Sequence, residues 1–237
     1  WAWATLALAN LLLGWFFFQQ SRHPHPLLNL GLLLNNRVFA LSNLAALFNY
    51  AATFGVTFFL SLYLQYVKGM SPSQAGLVLI VQPIVQTLFS PFCGRLSDRI
   101  PASYVATAGM TLCAVGLAFA STLDVASDLK LIYLLLVLMG LGFAFFSSPN
   151  VSLIMGSVES KYLGVASGLN SSMRTLGMLT SMMIITLIFA YLMNDQPVTM
   201  ATQARFLASM RLALLIFSGL CVVGIGCSLG RISGSNK

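Results

Sequence analysis

Long apolar runs separated by short polar punctuation dominate this chain, and the runs carry no polar stripe at helical spacing. A helix packed on a soluble core shows a polar face every turn; these runs are apolar all round. A helix needs ~20 mostly apolar residues to cross a ~30 Å hydrocarbon core. The pattern predicts seven spans, at residues 1–18, 38–66, 75–96, 104–120, 131–158, 164–193 and 206–229. The second is long enough to tilt or to lie partly in the interface. Charge and turn formers fall in the connectors: Arg22-His23-Pro24-His25-Pro26, Lys68-Gly69-Met70-Ser71-Pro72, Arg95 to Pro101, Asp124 to Lys130, Glu159-Ser160-Lys161 and Asn194 to Arg205. The expected fold class is therefore all-α, a polytopic membrane helix bundle with no soluble domain.

Composition removes the soluble alternatives. The 237 residues are 58% hydrophobic and 7% charged, with mean hydropathy +0.87. A soluble domain carries roughly 25% charged residues. The net charge of +7 reads as an insertion signal. With seven spans, one side would hold Arg22, Arg37, Arg95, Arg99, Lys161, Arg174, Arg231 and Lys237, and the other Lys68, Lys130, Arg205 and Arg211, so 8 + 4 accounts for all 12 basic residues. The positive-inside rule places the larger set, and the C-terminus, in the cytoplasm. No basic cluster in a soluble context suggests nucleic acid.

The first residues, Trp1-Ala2-Trp3, stand directly in apolar sequence without an initiator Met, a charged leader or a cleavage site. A signal peptide is not expected. A piece of a longer protein, lacking an N-terminal part, is.

Candidate chemistry is sparse. Cys93, Cys113, Cys221 and Cys227 all lie in apolar runs without metal-ligand spacing, which suits small packing residues better than a metal site. His23 and His25 sit in a Pro-rich connector. No Asp, Glu, His or Lys stands at mid-span. That speaks against a catalytic triad, a metalloprotease, an intramembrane carboxylate pair and a retinal Schiff base; neither a metal nor a cofactor is expected, and no enzyme. The polar groups within spans are neutral amides: Asn43, Asn49, Gln65, Gln82, Gln86, Asn150 and Asn170. Aromatic residues surround them, among them Tyr50, Phe54, Phe58 and Phe143. Amide and aromatic linings suit a greasy or cationic organic ligand. The competing reading is interhelical hydrogen bonding, worth ~0.6 kcal/mol on average.

Three local patterns go further. Gly94-Arg95-Leu96-Ser97-Asp98-Arg99 ends the third span, where the Asp98 carboxylate can meet a helix N-terminus or an arginine. Pro149, within Ser147-Ser148-Pro149-Asn150, removes a backbone hydrogen bond, which predicts a kink. Gly164 and Gly168 form a small-xxx-small face suited to close packing. Arg174 follows about ten residues into the sixth span and must snorkel, pair or face water.

These stretches resemble the major facilitator superfamily, and within it the 14-helix drug:proton antiporters of bacteria. Gly94 to Arg99 is similar to the G-x-L-x-D-R signature, although Ile100-Pro101-Ala102-Ser103 replaces the usual Gly and basic pair. Gly164-Val165-Ala166-Ser167-Gly168-Leu169-Asn170 with Arg174-Thr175-Leu176-Gly177 is similar to that family's A-S-G-L…R-x-L-G stretch. His25 to Leu30 with Asn36 to Phe39 looks like its connector into the C-terminal bundle. The resemblance implies that residues 1–37 are the last linker helix and a cytoplasmic connector, and that residues 38–237 are the C-terminal six-helix bundle.

It further implies that the bundle's first and fourth helices line a central cavity, through Asn49, Tyr50, Phe54, Phe58 and Asn150, with Gln82 and Gln86 beside them. The Gly94–Arg99 loop would gate. The implied function is proton-coupled export of lipophilic or cationic drugs by alternating access, in a bacterial inner membrane. The implied partners are the lipid bilayer, the missing N-terminal half of the same transporter, a small lipophilic substrate, protons and a periplasmic adaptor. A same-fold permease or exporter of one metabolite, or a seven-helix receptor, are the alternatives.

Overall fold

A computed structural model of the chain describes residues 36–193, 198–199 and 202–232. The expected first span and the His25 to Leu30 connector lie outside the described residues. The backbone divides into two units, Trp1–Asn36 and Arg37–Lys237, and every helix named here belongs to the second. They are α1 (Arg37–Leu62), α2 (Pro72–Leu79), α3 (Val81–Ser97), α4 (Ala102–Ala120), α5 (Leu129–Gly156), α6 (Leu163–Met193) and α7 (Gln203–Ile232). With α2 and α3 joined end to end, six helical stretches of the described residues are long and apolar enough to cross a membrane.

The sequence accounts for the helix ends. Ser71 caps α2 through a reciprocal capping box with Gln74, and Pro72 sits at the first helical position, where its missing N–H costs nothing. Gly69 precedes it at φ +67°, a backbone region glycine enters freely. The Asp128 side chain accepts from the Lys130 N–H to start α5. The last turn of the second span, Tyr63–Val67, which continues α1, is wound as a π-helix, and Gln65 donates to the Ser61 carbonyl at 3.1 Å. The third span is divided at Ile80, which sequence hydropathy does not reveal. α5 runs through Pro149 without a break in helix.

Packing follows an exchange pattern. α1 packs on α6 and α7, α5 packs on α3 and α4, and α4 meets α7. Each first helix of one three-span group thus lies on the second and third helices of the other. α1 is the most enclosed, with 56% of its most apolar window buried, against 17% for the α2–α3 span and 28% for α6. Those last two therefore turn most of their surface outward.

Small residues set the closest crossings. A Cβ on Gly109 would fall 2.7 Å from the Gly142 carbonyl oxygen, so α4 and α5 meet backbone to backbone. A Cβ on Gly177 would fall 2.6 Å from the Leu47 carbonyl oxygen, so α6 meets α1 the same way. Among the described residues, nothing lies within 4 Å of a Cβ placed on Gly164 or Gly168. The close approach expected at those two glycines falls instead roughly two and a half to three and a half turns later, at Gly177. The apolar core contains Phe59 and Leu60 of α1, Leu117 of α4, Met139 of α5 and Phe217 of α7. Phe58, Phe59, Phe189 and Phe206 form a ring cluster with centroids 5.7–6.4 Å apart.

Candidate functional site

Four helices line a half-open cavity of about 220 Å³. α1 contributes Tyr50, Thr53, Phe54 and Thr57, and α3 contributes Gln82 and Gln86. α5 adds Phe143 and Ser147, and α6 adds Arg174 and Met178. The four positions on α1 follow i, i+3, i+4, i+7 spacing, which puts them on one helical face.

Helix length locates the cavity in depth. The start of α1 at Arg37, the end of α3 at Ser97, the end of α5 at Gly156 and the start of α6 at Leu163 share one end of the bundle. From that end Tyr50 is 13 residues away (50 − 37), Phe143 also 13 (156 − 143), and Gln86 and Arg174 11 each (97 − 86, 174 − 163). At 1.5 Å rise per residue those distances are roughly 16–20 Å, close to the middle of the apolar slab.

The chemistry of the wall is aromatic, amide, hydroxyl and one cation. The Arg174 guanidinium lies 5.2 Å from the centroid of the Tyr50 ring, and Tyr50 in turn lies 5.8 Å from Phe143 at a 57° tilt. This row crosses from α6 through α1 to α5. The described carboxylates, Asp98, Asp124, Asp128 and Glu159, all stand outside or at the tips of the helices. A second recess, about 410 Å³, shares Gln86 and extends past Thr87, Ser90, Pro91 and Ser148 to Gly94. A Cβ on Gly94 would stand 3.3 Å from the Ser148 hydroxyl.

Of the residues expected to line a cavity, Tyr50, Phe54, Gln82 and Gln86 are on its wall. Asn49, Phe58 and Asn150 are elsewhere. Asn49 is fully buried, its amide directed at the Cys113 thiol and otherwise without a hydrogen-bond partner among the described residues. Phe58 belongs to the ring cluster. Asn150 is buried, donating to the Ser42 carbonyl at 3.2 Å. Asp98 is exposed and caps the end of α3 through its backbone. Its carboxylate makes no hydrogen bond or ion pair among the described residues, so neither the helix terminus nor the arginine expected for it is its partner. Arg95 and Arg99 are exposed beside it.

The sequence does not single out Thr53, Thr57, Ser147 or Met178 as lining, and of the three outcomes open to Arg174, to snorkel, pair or face water, its place on the cavity wall fits the last. The helical spacing from Tyr50 to Thr57 was the available signal. Sequence reasoning assigned Arg231 to a connector. Arg231 is 1% exposed and donates to Ser42 Oγ at 3.0 Å, Asn150 Oδ1 at 2.7 Å and Ser228 Oγ at 2.7 Å. It thereby ties α7 to α1 and α5.

The family model described as Major Facilitator Superfamily matches residues 1–181 and, in an overlapping second match, residues 42–233. The riboflavin transporter RibZ of Clostridioides difficile is 31% identical over 194 residues, 81% of this chain and 42% of that protein. The uncharacterized transporter YebQ of Escherichia coli is 31% identical over 228 residues, 93% of this chain and 48% of that protein. The tetracenomycin C resistance and export protein of Streptomyces glaucescens is 30% identical over 183 residues, 75% of this chain and 34% of that protein. The chain spans less than half the length of the curated relatives it matches. Matched by the family model along nearly its whole length, and folded as a bundle of bilayer-spanning helices around a mid-depth cavity, this multi-pass membrane chain belongs to the major facilitator superfamily.

Proposed function

We propose that this chain is the C-terminal part of a 14-helix secondary transporter, with residues 1–37 as linker helix and connector and residues 38–237 as the six-helix bundle. The transporter exports small lipophilic aromatic compounds in exchange for protons, from a bacterial cytoplasm, with the C-terminus inside. The observation that carries this reading is the cavity at mid-depth between α1, α3, α5 and α6. Binding at the midplane, between bundles that rock about a fixed site, is how alternating access works. Relatives named for multidrug resistance and for tetracenomycin C export support the export direction.

The wall is suited to flat solutes. Tyr50 and Phe143 offer π faces, and Gln82, Gln86, Thr53, Thr57 and Ser147 offer donors and acceptors. The exposed Asp98 remains available for contact with the N-terminal bundle, and a periplasmic adaptor would complete an export route. The test is efflux of a lipophilic fluorescent dye from proteoliposomes of the intact transporter under an imposed pH gradient. Phe143→Ala is expected to raise the half-saturating dye concentration about tenfold, as loss of an aromatic contact worth ~1.4 kcal/mol implies. Efflux unchanged in that variant would remove this cavity from the pathway. Asp98→Asn is expected to slow efflux without lowering the amount of inserted protein.

A second reading, a permease for one defined metabolite, is favoured by one observation: the wall holds a fixed cation, Arg174. The riboflavin transporter among the relatives is named for such a solute. Riboflavin uptake that lipophilic dyes do not inhibit would select this reading over drug export.

A further inference from the structure

We propose that Arg174 and Tyr50 form an acceptor-selecting clamp, so that the cavity takes planar aromatic solutes bearing an anionic or strongly electron-rich oxygen group and disfavours cationic ones. The inference rests on the reading of this cavity as the solute site and names its substrate class.

Four observations converge. First, Arg174 stands near mid-depth, 11 residues into α6 (174 − 163), where an arginine side chain is costly unless it faces water or a counter-charge. Second, its guanidinium is held against the Tyr50 ring at 5.2 Å. A cation–π contact at this distance draws the guanidinium toward the cavity wall, and a guanidinium is a planar fork of donors that suits bidentate recognition of a carboxylate or paired carbonyl oxygens. Third, no carboxylate of the described residues lines the cavity. An entering anion therefore finds no competing acid, and an entering cation finds no partner. Fourth, Gln82 and Gln86 stand on the same wall from α3. Their amides can donate to a second acceptor on the solute while Phe143, tilted 57° to Tyr50, covers part of its ring face.

The sign of the selectivity follows from charge. A guanidinium keeps its charge throughout the physiological pH range. Near a protein surface, two like charges several ångströms apart repel by more than thermal energy. An aromatic-lined site without the arginine would attract cations through its π faces. Arg174 occupies one face of Tyr50 and reverses that preference.

The experiment uses the intact transporter that carries this chain, in nanodiscs, and reads equilibrium binding by fluorescence anisotropy. The probes are two xanthene dyes of the same ring frame, anionic fluorescein and cationic rhodamine 6G, at pH 7.5. The expected result is fluorescein binding at least about tenfold tighter than rhodamine 6G, the scale of one cation–acceptor contact. Arg174→Gln should erase or invert that ratio, Arg174→Lys should retain part of it, and Tyr50→Leu should weaken it by releasing the guanidinium. Each variant is compared at equal monodispersity on size exclusion, and Arg174→Lys keeps the test alive should Arg174→Gln not fold. Equal binding of the two dyes, no binding of either, or an unchanged ratio in Arg174→Gln would overturn the proposal. Efflux in proteoliposomes is measured separately. Selective binding without transport would retain the clamp and overturn the transporter reading, so the two failures are distinguishable.

Discussion

Arg231 is a buried cation among neutral acceptors. Its two terminal nitrogens reach Ser42, Asn150 and Ser228, while its Nε has no hydrogen-bond partner among the described residues. Hydrogen bonds from a charged donor are the stronger ones, and a buried acceptor left without its donor bears the full desolvation cost. Arg231→Ala is therefore expected to destabilise the protein by about 3 kcal/mol, read as a loss of thermal stability in detergent. Because Asn150 Oδ1 and Arg231 satisfy one another at 2.7 Å, the cost of the Arg231→Ala, Asn150→Ala double variant should fall short of the sum of the singles. Strict additivity would show that the pair is not a unit. The sequence placed this arginine in a connector because it stands at the end of an apolar run; its burial arises from α1 and α5 converging on α7, which no local pattern records. The same limit governs the amides. Asn49 and Tyr50 are adjacent in sequence, yet only Tyr50 faces the cavity, since successive residues point about 100° apart around a helix of 3.6 residues per turn. Amide content alone could not separate the cavity pair Gln82 and Gln86 from the structural residues Asn49 and Asn150.

Elements were far more legible than faces. Hydropathy placed the six described spans to within a few residues of their observed ends, because spanning length is dictated by the bilayer. It missed the π-turn at Tyr63–Val67 and the division at Ile80, which depend on hydrogen-bond register. Crossing points were only partly legible: glycine-rich stretches were visible, but which glycine meets a neighbour is a tertiary matter. Gly109→Ala and Gly177→Ala push a methyl into facing backbone and should each cost about 1–3 kcal/mol, whereas Gly168→Ala, with none of the described residues within 4 Å, should be neutral or slightly stabilising. Equal melting temperatures for Gly177→Ala and Gly168→Ala would refute the crossing. At the opposite end of the bundle, Tyr63 donates to the Asp124 carbonyl at 2.6 Å and Lys68 donates to the Val125 and Ser127 carbonyls at 2.8 and 2.6 Å. These contacts fasten the end of the second span to the α4–α5 connector. A hydrogen bond from the Ser127 hydroxyl, helped by backbone N–H groups and by Lys68, holds the Asp124 carboxyl below its ordinary value. A carboxyl with a lowered folded-state value adds stability that is complete above the unfolded value and is lost as pH falls through the folded one. Amide exchange in residues 121–128 should therefore accelerate only in strong acid, after correction for intrinsic rates. Asp124→Asn should remove that acid step. A connector whose protection is insensitive to both acid and Asp124→Asn would refute the role of the carboxylate.

At the scale of the whole molecule, the exchange of first helices between the two three-span groups leaves α1 and α5 beside one another, with α3 and α6 flanking them around the cavity. That arrangement places neutral donors, aromatic faces and one arginine at mid-depth, and it leaves the described acids at the helix ends. A carboxyl that carries a proton across the membrane must exchange its environment between the two faces, and one fixed in a connector cannot do this from its own position. On the proposed reading of export in exchange for protons, the coupling should therefore reside outside the described part of this bundle. Replacing Asp98, Asp124, Asp128 and Glu159 together by the corresponding amides should lower the rate of efflux, through Asp98, while the dependence of efflux on an imposed pH gradient persists. Neutralising an intramembrane acid in the other bundle should instead abolish that dependence and leave solute binding within about threefold of the parent, since a threefold change is only ~0.65 kcal/mol. Loss of the gradient dependence in the four-site variant, with the protein inserted at normal levels, would relocate the coupling to this half and overturn the division of labour.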